Sequence, residues 1–114
     1  MKAFNSTRST LVAIELEEAD GFYTKLKGLI GRDGLEDGTG LWIVGCRAIH
    51  TFGMRFPIDV VFLDRELSVK KVVQGVGPFQ PMIYCLPAKS VLELPEGTIE
   101  RAQVRVGDRI KLTD

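Results

Sequence analysis

The chain has 114 residues, with fifteen lysines and arginines against fifteen aspartates and glutamates, one histidine and two cysteines. A chain of this length buries roughly two thirds of its unfolded surface, enough for one core and not for two. The expectation is a single domain spanning 1–114, with residues 1–9 loosely attached. A formal net charge of zero leaves no field to draw in nucleic acid or an anionic membrane, so neither is an expected partner.

Met1 to Thr10 opens with Lys2 but holds no apolar core of export-signal length, and no uncharged apolar run approaches membrane-spanning length. The localisation expected is therefore cytoplasmic, in soluble form. Cys46 and Cys85 lie too far apart for a CxxC redox or zinc signature, and in a reducing compartment they are expected as two thiols.

Thr10 to Leu16 is rich in branched residues, with Val12, Ile14 and Leu16 on one face of a first strand. From Ala19 to Ile30 the period changes. Phe22, Leu26, Leu29 and Ile30 line one side of a helix, with Asp20 as its N-cap and Gly31 as its stop. Arg32 to Leu35 and Asp37 to Gly40 supply two turns in succession. Gly40 to Val44 follows as a short buried strand.

Pro57 has no amide to donate and belongs at the start of a strand, Ile58 to Leu63. Asp64-Arg65-Glu66 then turns the chain into Leu67 to Val73, making a hairpin. Gly75 to Pro87 is a long segment with Pro78, Pro81 and Pro87 among Phe79, Met82, Ile83 and Tyr84, so it must pack on the body or cover something. Ala88 to Leu94 is a strand, Pro95-Glu96-Gly97 a turn, and Thr98 to Arg101 one helical turn capped by Thr98. A Gly107-Asp108 turn and a last short strand end the chain. The fold class is mostly β, a β-rich α+β domain. Its curled antiparallel sheet, or small barrel-like body, carries one short amphipathic helix.

Several motifs in this order resemble the domain-of-unknown-function 192 family. They are Lys27-Gly28-Leu29-Ile30-Gly31-Arg32, Gly40-Leu41-Trp42-Ile43, and His50-Thr51-Phe52-Gly53-Met54 through Pro57-Ile58-Asp59-Val60-Val61-Phe62-Leu63-Asp64. Val91-Leu92-Glu93-Leu94-Pro95-Glu96-Gly97 completes the set. The resemblance implies a compact β-rich domain with a short helix and no established activity. Many relatives carry an export signal or membrane anchor, from which this chain is expected to depart, and many have tryptophan where this chain has Phe52.

The chemical candidates gather near the central stretch. His50 is the one imidazole of the chain, a side-chain type that can move protons or bind metal. Its neighbour Thr51 offers a hydroxyl, Met54 dries the surroundings, and Arg55 is a cation available to a carboxylate. Asp59 sits on a strand face otherwise made of Val61 and Leu63, so it must be paired, hydrogen-bonded or functional. Glu93 repeats that pattern between Leu92 and Leu94. The expected binding residues are thus His50, Thr51, Met54, Arg55, Asp59 and Glu93, and His50, Asp59 and Glu93 are the catalytic candidates if they converge.

Each has a bland alternative. His50 can fix loop geometry, Asp59 can be clamped by the amides of the Met54-Arg55-Phe56 turn or paired with Arg32, Arg47 or Arg55, and Glu93 can form a salt bridge. Cys46 reads as an inert thiol. The ligand set is too thin for a metal, and no phosphate-binding glycine pattern occurs, so no metal and no cofactor are expected. Trp42, Phe52, Phe56, Phe62 and Phe79 are scattered and read as core and rim. The leading functional reading is a small binding or accessory module for an unknown small ligand or protein partner. The rivals are an enzyme with His50 as general acid or base, oriented by Asp59 or Glu93, and an interaction protein without a pocket.

Overall fold

Two strands carry apolar side chains on both of their faces, and the fold is built outward from them. In the computed structural model, which describes residues 1–20, 33–51, 54–78, 80 and 82–114, Ile58–Leu63 and Ser90–Pro95 are buried at every position. They are adjacent in the middle of a five-stranded sheet. We number the strands β1 (Lys2–Asn5), β2 (Thr10–Ala13), β3 (Glu15–Asp20), β4 (Thr39–Val44), β5 (Ala48–Ile49), β6 (Ile58–Leu63), β7 (Val69–Val76), β8 (Ile83–Tyr84), β9 (Ser90–Pro95) and β10 (Ile110–Thr113). The turn of helix Thr98–Arg101 is α1.

The large sheet runs β3-β4-β9-β6-β7, a second sheet runs β10-β1-β2, and β5 pairs with β8. All pairings are antiparallel except β3 with β4. The large sheet is therefore mixed and open at both ends among the described strands. Successive side chains of a strand point to opposite faces, so the large sheet separates two apolar layers. Val61, Leu63, Leu92, Leu94 and Ile99 belong to the first, together with Ala3, Val12 and Ile110 from the small sheet. Leu41, Ile43, Ile58, Val60, Phe62 and Val91 belong to the second, with Ile49, Met54 and Ala88 packed on them.

Four expectations need correction. The first strand breaks at Ile14, which is half exposed, because the Ile14 and Glu15 amides both donate to the Gly38 carbonyl and turn the chain from the small sheet into the large one. Ala19 and Asp20 end β3 instead of opening a helix, and the rest of the expected helix lies outside the described residues. Residues 1–9 are not loosely attached: β1 is the middle strand of its sheet, and Ala3 and Asn5 are 0% exposed. The cap of α1 is Gly97, at φ 96°, and not Thr98. The hairpin of β6 and β7, the Asp37-Gly38 and Gly107-Asp108 turns, and the last strand form where the pattern placed them.

Candidate functional site

Asp59 lies in β6 opposite Leu94 of β9, on the face of the first apolar layer. Across from it β7 bulges: Ile58 pairs with Val76 but Val60 with Val73, so two steps on β6 match three on β7. Gly75 absorbs the extra residue at φ 60°. Its amide donates to Asp59 Oδ1 at 2.9 Å. Asp59 Oδ2 accepts the amides of Gly97 at 3.1 Å and Ile99 at 2.9 Å. A fully buried carboxylate thus replaces the side-chain cap that α1 lacks. Backbone amides do clamp Asp59, but from these three residues and not from the Met54-Arg55-Phe56 turn, and no arginine pairs with it among the described residues.

Thr51 is also committed. Its hydroxyl donates to the Gly77 carbonyl at 2.8 Å and accepts the Gln80 amide at 2.8 Å, while its own amide donates to the Gln80 carbonyl at 3.0 Å. The residue is fully buried and ties the His50 loop to the segment after β7. Met54 is core in the second layer. Arg55 pairs with Asp33 at 3.0 Å on the surface, where such a pair contributes little. His50 is half-buried, and its chain neighbours Ile49 and Met54 place its loop on the second-layer side of the sheet. Phe52 and Gly53 lie outside the described residues. The Cys46 thiol donates to the Ala48 carbonyl at 2.9 Å, Cys85 is buried, and no disulfide joins them.

Glu93 is different. In β9 it stands between Leu41 of β4 and Val60 of β6, facing the second layer. It is 7% exposed, and no hydrogen bond or ion pair reaches its carboxyl group among the described residues. Desolvation by this burial pushes its pKa up to about 7. The salt bridge allowed for it is therefore not formed with any described lysine or arginine. Because β6 and β9 pair with Asp59 opposite Leu94 and Val60 opposite Glu93, the two carboxylates point to opposite faces of one sheet. Asp59 and Glu93 do not converge, and only Glu93 shares a side with His50. No group of three or more metal-ligating side chains gathers among the described residues.

The geometry also brings forward groups the sequence did not single out. Asp108 is buried and accepts Asn5 Nδ2 at 2.9 Å, Arg8 Nε at 3.2 Å and the Arg105 amide at 3.0 Å, which joins the two ends of the chain. Lys71, a mid-hairpin residue in sequence terms, lines a groove of about 480 Å³ beside β7. An apolar Gly75 to Pro87 segment was the signal for that groove. The lysine carried no signal of its own.

A mixed β-sheet with an apolar layer on each face, a buried aspartate serving as a helix cap and a buried glutamate without a partner among the described residues is the class of domain defined here. The chain belongs to the DUF192 family, described as "Uncharacterized ACR, COG1430", which matches residues 3–112. It is 31% identical over 110 residues to the UPF0127 protein PF1050 of Pyrococcus furiosus, covering 94% of each chain. The fold is similar to that of a protein of unknown function from Novosphingobium aromaticivorans, at a TM-score of 0.82 and 19% identity, covering 97% of this chain and 82% of that one. A crystal structure from Sinorhizobium meliloti matches at a TM-score of 0.79 and 20% identity, covering 96% of this chain and 89% of that one. Among the described residues no helix is long and apolar enough to cross a membrane.

Proposed function

We propose that this protein is a small binding or accessory module in which Glu93 is the recognition carboxylate. The ligand class is one that carries an amine or amidine. The observation that carries this reading is that Glu93 is buried without a partner among the described residues, while Asp59 and Thr51 already hold the fold together. A buried carboxylate without a donor is costly, and a cationic donor offsets that cost through a charge-assisted hydrogen bond. The half-buried His50 and its loop stand on the same side of the sheet and supply a polar rim. The enzyme reading that used Asp59 to orient His50 draws no support from the geometry, because Asp59 is spent on three amides on the other face.

The test is thermal stability across a library of small amines, diamines and amidines at pH 6 and pH 8. Ligand-induced stabilisation is expected to be larger at pH 8, where Glu93 is ionised, and to vanish in Glu93→Gln. If the same compounds stabilise Glu93→Gln as strongly as the parent, or if none stabilises either protein, Glu93 is not a recognition group.

A further inference from the structure

β7 is the last strand of the large sheet and pairs only with β6 among the described strands, so its outer edge presents backbone amides and carbonyls that no described strand takes up. Across a groove from β7 stands β8, which pairs with β5 instead. Between them runs the groove of about 480 Å³, with Lys71, Val73, Gln74 and Val76 on one wall and Ile83 and Tyr84 on the other. Lys71 bridges the two walls: its Nζ donates to the Tyr84 carbonyl at 2.9 Å and lies 5.7 Å from the centre of the Tyr84 ring.

The outer wall is apolar and faces water. Met82 and Tyr84 lie two residues apart on this wall and are 66% and 54% exposed, and Leu86, in the turn after β8, is 66% exposed. Large apolar side chains grouped in this way mark a surface that meets another molecule. The inner end of the groove is held rigid, since Gly77 and Gln80 are clamped by the Thr51 hydroxyl.

We propose that this groove binds an extended peptide segment that adds to the edge of β7 as a further strand and places a carboxylate beside Lys71. A free strand edge supplies main-chain hydrogen bonds without regard to side chains, and the flanking walls supply selectivity. Charge decides the kind of partner. Lys71 is the only charged side chain among the described residues lining the groove, and an ammonium with three donors keeps two after its bond to the Tyr84 carbonyl. An acidic segment meets the Lys71 ammonium with the opposite sign. At about 3.3 Å per residue, the length from Lys71 to Gly77 takes up roughly six or seven residues of an extended partner.

The experiment uses the full chain and a panel of synthetic heptapeptides that alternate valine, leucine or tyrosine with threonine and end in glutamate. Each has a counterpart N-methylated at every amide, which has no backbone donor left for a strand ladder on either edge. Binding is followed by fluorescence anisotropy and by amide hydrogen exchange of β7. The expected result is protection of β7 amides by at least one peptide, loss of binding on N-methylation, at least tenfold weaker binding by Lys71→Glu, and retained binding by Lys71→Arg. The assignment is overturned if no peptide protects β7, if N-methylated peptides bind equally well, or if Lys71→Glu binds as tightly as the parent. It is also overturned if β7 becomes protected by self-association without peptide.

Discussion

Asp59 and Glu93 look alike in sequence, each an acid between aliphatic neighbours on a buried strand, yet their surroundings differ. Asp59 is met by three amides, so Asp59→Ala strands those donors in the first apolar layer and is expected to cost about 2–4 kcal/mol, measured by urea denaturation at pH 7. A loss under about 0.5 kcal/mol would show that the three bonds contribute nothing. Glu93 has no described donor, and burial raises its pKa from 4.5 to about 7. A raised carboxyl pKa means that the folded state holds the proton longer than the unfolded state. The associated stability is fully present below pH 4.5 and is lost as pH rises through about 7. The decline expected is of the order of 3 kcal/mol, an upper bound from the size of the shift. Glu93→Gln is expected to flatten the stability profile between pH 5 and 8 and to be more stable than the parent at pH 8. An unchanged profile would place the titrating group elsewhere.

At the scale of elements, glycine positions decide how closely strands approach. A Cβ on Gly40 would lie 2.8 Å from Leu94 Cδ2, 3.0 Å from the Glu93 carbonyl and 3.2 Å from Leu16 Cδ1. This glycine lets β4 sit tightly between β3 and β9, so Gly40→Ala is expected to destabilise by about 1–3 kcal/mol through overpacking. Equal thermal midpoints for parent and variant would mean that the neighbouring side chains give way freely. Gly75 works differently. Its positive φ makes the bulge that turns its amide toward Asp59, so one backbone conformation in β7 and one side chain in β6 position α1 together.

Across the whole molecule, the first and last strands close the structure. β1 lies between β10 and β2, and the Asn5, Arg8 and Arg105 donors converge on Asp108 Oδ2. Burial alone would raise the Asp108 pKa, but the hydrogen bonds from Asn5, Arg8 and the Arg105 amide outweigh it, and the pKa is lowered. A lowered carboxyl pKa contributes stability above the unfolded value, about 3.9, that disappears as pH falls through the folded one. Asp108→Asn is therefore expected to reduce stability at pH 7 and to show a shallower loss on acidification below about pH 4. Since Glu93 weakens the fold toward neutral pH and Asp108 weakens it in acid, these two groups together favour greatest stability near pH 4–5, readable from a thermal melt series.

Much of the fold was legible in the sequence. Periodicity and punctuation placed β4, β6 and β9 to within about one or two residues, because strands buried on both faces carry an apolar signal that no other element of that length shares. The Asp-Gly and Gly-Asp turns were readable because their backbone demands glycine. The motif order was enough to identify the family. What local pattern could not carry was every property that depends on pairing between distant residues. The chain switches sheets at Ile14 because of an acceptor at Gly38, and β3 runs parallel to β4 although most of the sheet is antiparallel. The polar N-terminal strand is central because Asp108, more than a hundred residues away, receives it. The candidate site divided for the same reason. Sequence determined that Asp59 and Glu93 are acids on apolar strands. Only the register of β6 against β9 decided that they face opposite sides, one satisfied by three amides and the other left without a described partner.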